Sequence, residues 1–325
     1  MNRRDFMKLG SAVAVSSVPW QAFAQAKWPD KPIRLVVPFS PGGGTDTLAR
    51  LVAEKVSAAT KWSIVVENKP GGGGNIGLDA VAKAAPDGYT IGMGQTANLA
   101  VNPTLYKKMP YDALKDFTPI ALVATQPVVL VVRADAPYKT LADLVSAAKA
   151  KPGDVSMGSA GSGTIGHLTG ELLAREAKVK FLHVPYKGAG PALTDLLGGN
   201  VQFAFLTLPS IISMLKANRL RALAVTSQKR IPALPNVPTV AESGYKDFVT
   251  ESWYGLVGPA KLPAAIAATI NAEVEKVLKQ PEVIAKLDAE GNEPLGGSAD
   301  RFAARIKTDH AKWGTVVREA GITPD

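Results

Sequence analysis

The sequence predicts an α/β protein of two lobes joined by two strands, and three features carry that expectation. Short runs rich in β-branched residues alternate with stretches whose apolar residues recur at helical spacing. Glycine-rich turns stand at the ends of the predicted strands. Two apolar stretches, Ile120 to Val132 and Phe248 to Pro259, are longer than the rest and able to run from one lobe into the other. Alternation of this kind places mainly parallel strands in sheets covered by helices on both faces.

Ile33 to Val37 is the first strand, stopped by Pro38. After a glycine-rich turn, Leu48, Leu51, Val52 and Val56 recur as one face of a helix. The unit repeats with Ile64 to Val66 before Gly71 to Gly74 and with Tyr89 to Ile91 before Gly94. Further on, Val155 to Met157 precedes Gly158 to Gly166, and Phe181 to Val184 precedes Gly188-Ala189-Gly190. The first long apolar stretch is interrupted by Gln126-Pro127, and the second is centred on Trp253. If both cross between lobes, residues 27–125 and 249–325 form one lobe and 126–248 the other, with a cleft beside a two-strand hinge. The last part reads as helices: Ile266, Ile270, Val274, Val277 and Leu278 make one stripe, and Phe302, Ile306, Trp313, Val316 and Val317 another.

Residues 1–26 read as an address rather than as fold. Asn2-Arg3-Arg4-Asp5-Phe6-Met7-Lys8 is followed by an uncharged, mildly apolar run from Leu9 to Val18 and then Ala22-Phe23-Ala24, the pattern of a twin-arginine export signal with an A-x-A cleavage site. Ser11, Ser16, Ser17, Pro19 and Gln21 interrupt the run too often for a bilayer span. The expected product is a soluble protein in a bacterial periplasm.

Composition narrows the chemistry. The 325 residues are 46% hydrophobic and 20% charged, a globular balance with length for two domains. The absence of cysteine removes disulfides, thiolate nucleophiles, Cys-ligated zinc and iron–sulfur clusters. The formal charge of +9 is scattered, as in Lys107-Lys108, Arg219 with Arg221 and Lys229-Arg230, and with aromatics at 6% nothing resembles a nucleic-acid groove.

Pro41-Gly42-Gly43-Gly44-Thr45-Asp46 lies between a strand and a helix, where free N–H groups and the helix dipole can hold an anion; Thr45 or Asp46 can at the same time cap the helix. No lysine follows those glycines, which disfavours a nucleotide P-loop. G-x-G-x-x-G occurs at Gly72 to Gly77 and at Gly161 to Gly166, but the following strands end without the acidic residue that a dinucleotide ribose requires. What remains of the second is Ser159-Ala160-Gly161-Ser162-Gly163-Thr164, a nest of N–H donors and hydroxyls suited to a carboxylate. His167, His183 and His310 form no H-E-x-x-H pair, so no metal and no cofactor are expected. A serine hydrolase using Ser159 or Ser162 is the enzyme alternative, weakened by the lack of a G-x-S-x-G elbow.

The ordered motifs together are more specific than any one alone. Val37-Pro38-Phe39-Ser40-Pro41-Gly42-Gly43 with Asp46 and Ala49-Arg50, Val66 to Gly71, Ala85-Pro86-Asp87-Gly88-Tyr89-Thr90, Gly158 to Thr164 with His167-Leu168, and His183-Val184-Pro185-Tyr186-Lys187-Gly188 resemble the Bug family of extracytoplasmic solute receptors. These receptors are related to the substrate-binding component of tripartite tricarboxylate transporters. Leu220 to Thr226, Leu234 to Thr239 and Trp253-Tyr254-Gly255 extend the resemblance over nearly the whole mature chain.

The resemblance implies a Venus-flytrap fold and a monomer without catalytic activity. It also implies a cleft that holds a small organic carboxylate, aromatic or dicarboxylic, through backbone amides, hydroxyls and bridging waters. One wall is then Phe39, Ser40, Pro41, Gly42, Gly43, Thr45 and Asp46 with Gln95, Thr96 and Asn98. The other is Ser159, Ala160, Gly161, Ser162, Gly163, Thr164 and His167 with Tyr186, Lys187, Gly188 and Ala189. Leu206-Thr207 stand where the family commonly has Asp-Asn, which favours a ligand with an apolar or aromatic body over an amino acid, whose ammonium would want a buried carboxylate. The closed form would be read by a membrane permease or, alternatively, by a two-component sensor kinase.

Overall fold

The computed structural model describes residues 28–319 and 321–324, so the expected export signal lies outside the described residues. Among the described residues ten strands are seen: β1 (Ile33–Val37), β2 (Ile64–Asn68), β3 (Thr90–Gln95), β4 (Phe117–Arg133), β5 (Ser156–Ser159), β6 (Leu182–Pro185), β7 (Phe203–Thr207), β8 (Leu220–Val225), β9 (Glu251–Pro259) and β10 (Glu293–Pro294). The helices of the first half are α1 (Gly44–Thr60), α2 (Asn75–Ala82), α3 (Asn102–Leu105), α4 (Leu141–Ala150) and α5 (Ile165–Ala177). Those of the second are α6 (Ala189–Gly198), α7 (Leu208–Lys216), α8 (Ala264–Leu278), α9 (Pro281–Ala289) and α10 (Ala299–Glu319).

These elements make two sheets that share one strand. In the first, β2, β1 and β3 run parallel, and β9, the first half of β4 and β10 follow antiparallel. In the second, β6, β5 and β7 run parallel, and the second half of β4 and β8 are antiparallel. The sheets are therefore mixed. Each keeps the parallel trio that strand–helix alternation predicts, and the antiparallel strands enter because β4 leaves one lobe and β9 returns in the opposite sense.

Gln126-Pro127 does not break the first apolar stretch; β4 runs through it for 17 residues. Thr125 and Gln126 pair with Trp253 and Ser252, whereas Val128 and Val129 pair with Thr207 and Leu206. Pro127 therefore stands where the strand changes sheets, and its missing N–H falls at the change of partners. Beside it, Thr226 Oγ1 accepts from the N–H of Val128 at 3.0 Å and donates to the carbonyl of Thr250 at 2.6 Å.

The C-terminal helices pack on the first lobe. Val274 and Val277 of α8 are buried against its β-strands together with Leu48 and Val52 of α1. Phe302 of α10 is fully buried, its ring edge-on to Trp253 at 5.5 Å, and the indole N–H of Trp253 donates to Asp309 at 2.6 Å. The Phe302→Ala variant is expected to lose about 3–5 kcal/mol of stability, because a ring-sized cavity opens beside a returning strand; urea unfolding measures it.

Candidate ligand-binding site

Three helices of different sheets start at one place. The N-terminus of α1 comes from the first lobe, and those of α5 and α6 come from the second. Their N-cap residues, Gly43, Thr164 and Gly188, make no side-chain cap. The first-turn N–H groups of a helix have no intrahelical acceptor, so each end keeps free donors and a partial positive charge. Between these ends lies a cavity of about 40 Å³ lined by Phe39, Gly43, Gly44, Thr45, Gln95, Val128, Ala160, Thr164, Ile165, Gly166, Ala189, Phe205, Leu206, Thr207 and Tyr254. No acidic or basic side chain is among them.

The lobes touch around this cavity. The N–H of Gly44 donates across to Thr207 Oγ1 at 3.1 Å, and the phenol of Tyr106 donates to the carbonyl of Ser162 at 3.3 Å. Glycines permit the approach. A Cβ on Gly188 would collide with Ser40 Oγ, and its φ of 148° already disfavours any other residue. A Cβ on Gly44 would collide with Gln126 Oε1. Gly43, by contrast, has room for a methyl group, 3.5 Å from the Ala189 side chain.

Of the expected site residues, Phe39, Gly43, Thr45, Gln95, Ala160, Thr164, Ala189, Leu206 and Thr207 reach the cavity. The others do not line it. Asp46 is buried and accepts from the N–H of Gly42, from Arg50 Nε and from Asn68 Nδ2, so it braces the loop from below. Burial alone would push its carboxyl up, but those donors outweigh it and hold the group below the usual carboxylate range. Pro41, Gly42 and Lys187 are exposed and do not line the cavity. Thr96 accepts from the N–H of Trp253 at 2.9 Å, and Asn98 Oδ1 accepts from the N–H of Gln95 at 2.9 Å.

The nest of the second lobe is held by histidines. His167 Nδ1 accepts from the N–H of Gly163 at 3.0 Å, and its ring stacks on His183 at 3.8 Å. His183 Nε2 is 2.7 Å from Ser159 Oγ, which also accepts from the N–H of Gly161 at 3.2 Å. This serine–histidine pair is a brace and not a nucleophile, since Ser159 is fully buried and outside the cavity lining. Tyr186 points away to Asp195, and burial together with that carboxylate pushes its phenol up to about 12.

Gly44, within the expected anion-holding turn, also lines the cavity, whereas the sequence reading missed Val128, Ile165, Gly166, Phe205 and Tyr254. Val128 and Tyr254 were open to inference, because residues just inside the two crossing strands must floor any cleft between the lobes. A larger groove of about 740 Å³ lies on another side of the hinge. Its Lys229, Arg305 and Lys312 share it with Asp247, Glu251 and Glu293, so its cations already face competing carboxylates.

Residues 48–322 match the family described as tripartite tricarboxylate transporter family receptor. The chain belongs to that family. A UPF0065 protein of Pseudomonas sp. (strain P51), from the tcbD-tcbE intergenic region, is 40% identical over 311 residues, covering 95% of this chain and 92% of that one. The structure is similar to that of R. palustris Rpa4515 with adipate, with a TM-score of 0.89 and 38% identity over 92% of this chain and 100% of the other. It is also similar to the periplasmic binding protein BugD, with a TM-score of 0.87 and 34% identity over the same shares. The resemblance to Bug receptors, the two-lobed fold and the non-enzymatic reading are thereby shown: this is a periplasmic solute-binding protein of the tricarboxylate-receptor family.

Asp46 gives this site a pH signature. A carboxyl held low in the folded state contributes stability above its unfolded pKa, and that contribution disappears as pH falls through the folded value. Asp46→Asn is expected to cost about 1–2 kcal/mol near neutrality. The gap to the wild type should close below pH about 4 in urea unfolding series.

Proposed function

We propose that the protein captures a small organic carboxylate in the cavity between its lobes and, closed around it, delivers it to the membrane component of a tripartite tricarboxylate-type transporter. The observation that carries this reading is the meeting of the α1, α5 and α6 N-termini, from both lobes, at a cavity lined by no charged side chain. Converging helix ends favour an anion, and the absence of a lining carboxylate disfavours an ammonium. Adipate accompanies the similar Rpa4515 structure, which supports a carboxylate.

A ligand shifts a hinge only by its different affinity for open and closed forms, so donors from both lobes are what the mechanism needs. Phe39, Val128, Phe205 and Leu206 supply an apolar wall, consistent with an apolar or aromatic body on the ligand. In this reading the protein reaches the periplasm by twin-arginine export and works as a monomer. Residues 27–125 with 249–325 act as one lobe and 126–248 as the other, supported by the change of sheet along β4 at Gln126-Pro127.

Calorimetric titration with mono-, di- and aromatic carboxylates tests the reading. Binding is expected for carboxylates and not for amino acids. Gly188→Val, which collides with Ser40 across the cleft and strains the turn that opens α6, should weaken it at least about tenfold. Unchanged heats in that variant, or preference for an amino acid, would overturn the assignment.

A further inference from the structure

We propose that Gln95 determines specificity at the floor of the cavity by donating to a second hydrogen-bond acceptor on the ligand, and that Ser252 is the positioning residue that makes Gln95 a donor. This rests on the carboxylate reading, in which the first ligand end sits at the helix N-termini. Gln95 ends β3 and pairs in register with Tyr254 of β9, so it stands beside the hinge, away from the lobe walls. Its main chain is fixed, because its N–H is taken by Asn98 Oδ1.

Its side chain has one end engaged. Ser252, fully buried on β9, donates from Oγ to Gln95 Oε1 at 3.2 Å. With the oxygen engaged, the carboxamide presents its NH₂ group, and Nε2 has no protein partner among the described residues. Neighbouring groups do not supply one. Tyr254 donates its phenol proton to Gln126 Oε1 at 3.1 Å, no hydrogen bond joins its oxygen to the Gln95 carboxamide, and no Asp or Glu lines the cavity.

Tyr254 is itself held in that role by a chain of fixed direction. Asn292 Nδ2 donates to the Glu290 carboxylate, so Asn292 Oδ1 accepts from Gln126 Nε2, which leaves Gln126 Oε1 to accept from Tyr254. The floor therefore offers a donor in want of an acceptor. A second carboxylate, a keto oxygen or a ring nitrogen satisfies it, whereas an amine or an alkyl end does not.

Adipate and hexanoate, which share a six-carbon chain and differ at the far end, separate these cases by calorimetry. The wild type is expected to bind adipate at least about tenfold more tightly than hexanoate. Gln95→Leu and Ser252→Ala should bring the ratio close to one, and Ser252→Thr, which keeps the hydroxyl, should restore it. Thermal unfolding of each variant separates this from loss of fold. A ratio near one in the wild type, or a ratio unchanged in Gln95→Leu, overturns the inference while leaving the carboxylate reading intact. Binding of neither acid overturns the inference, and with the aromatic carboxylates failing as well it overturns the carboxylate reading too.

Discussion

The antiparallel pairing of β4 with β9 is the interaction on which the rest of the cleft depends. These strands carry the chain out of the first lobe and back, and they are hydrogen-bonded to each other from Phe117 with Pro259 to Pro127 with Glu251. A hinge made of paired strands restricts relative motion of the lobes to bending and twisting about that pair. The side chains at the crossing are buried amides and hydroxyls rather than aliphatics: Gln126, Ser252, Thr226 and Thr250. Each has a hydrogen-bond partner, Asn292 for Gln126, Gln95 for Ser252, Val128 for Thr226 and Thr169 for Thr250, which burial makes obligatory and which favours a few discrete arrangements over a continuum.

Holding an anion without a cation follows from the same geometry. A lysine or arginine in a closed cavity of this size would need its own partner whenever the ligand left. Helix ends avoid that cost, because their partial charges are fixed by the backbone and are present whether or not a ligand is bound. The price is close approach, so residues such as Gly44 and Gly188 stand where any side chain would hold the lobes apart. Asp46 and Arg50, charges beside the cleft, are paired with each other and shape the loop.

The brace residues explain why much of the expected site lies one layer back. Asp46, Asn98, Ser159 and His167 have side chains that could bind a ligand, and each is used instead to fix a loop or strand end that presents the cavity. His167 accepting from Gly163 and Ser159 accepting from Gly161 keep the nest in shape. A motif in sequence cannot distinguish a residue that touches the ligand from one that holds the residue that does, because both roles need the same polar atoms at the same spacing.

Local signals read from the chain therefore reached the strands, the helices and the glycine turns at their junctions, since period, β-branching and turn chemistry are properties of neighbouring residues. Pro127 marked the hinge without revealing that one strand passes straight through it. The sequence by itself determined the two-lobed α/β architecture, the family and the anion-friendly loops. Only the tertiary structure decided which residues line the cavity, that Phe205, Val128 and Tyr254 join them, and that Ser252 Oγ reaches Gln95 Oε1. Those outcomes depend on pairings between residues more than a hundred positions apart, such as Gln95 with Ser252 and Gly44 with Thr207, and register across lobes is set by packing rather than by local pattern.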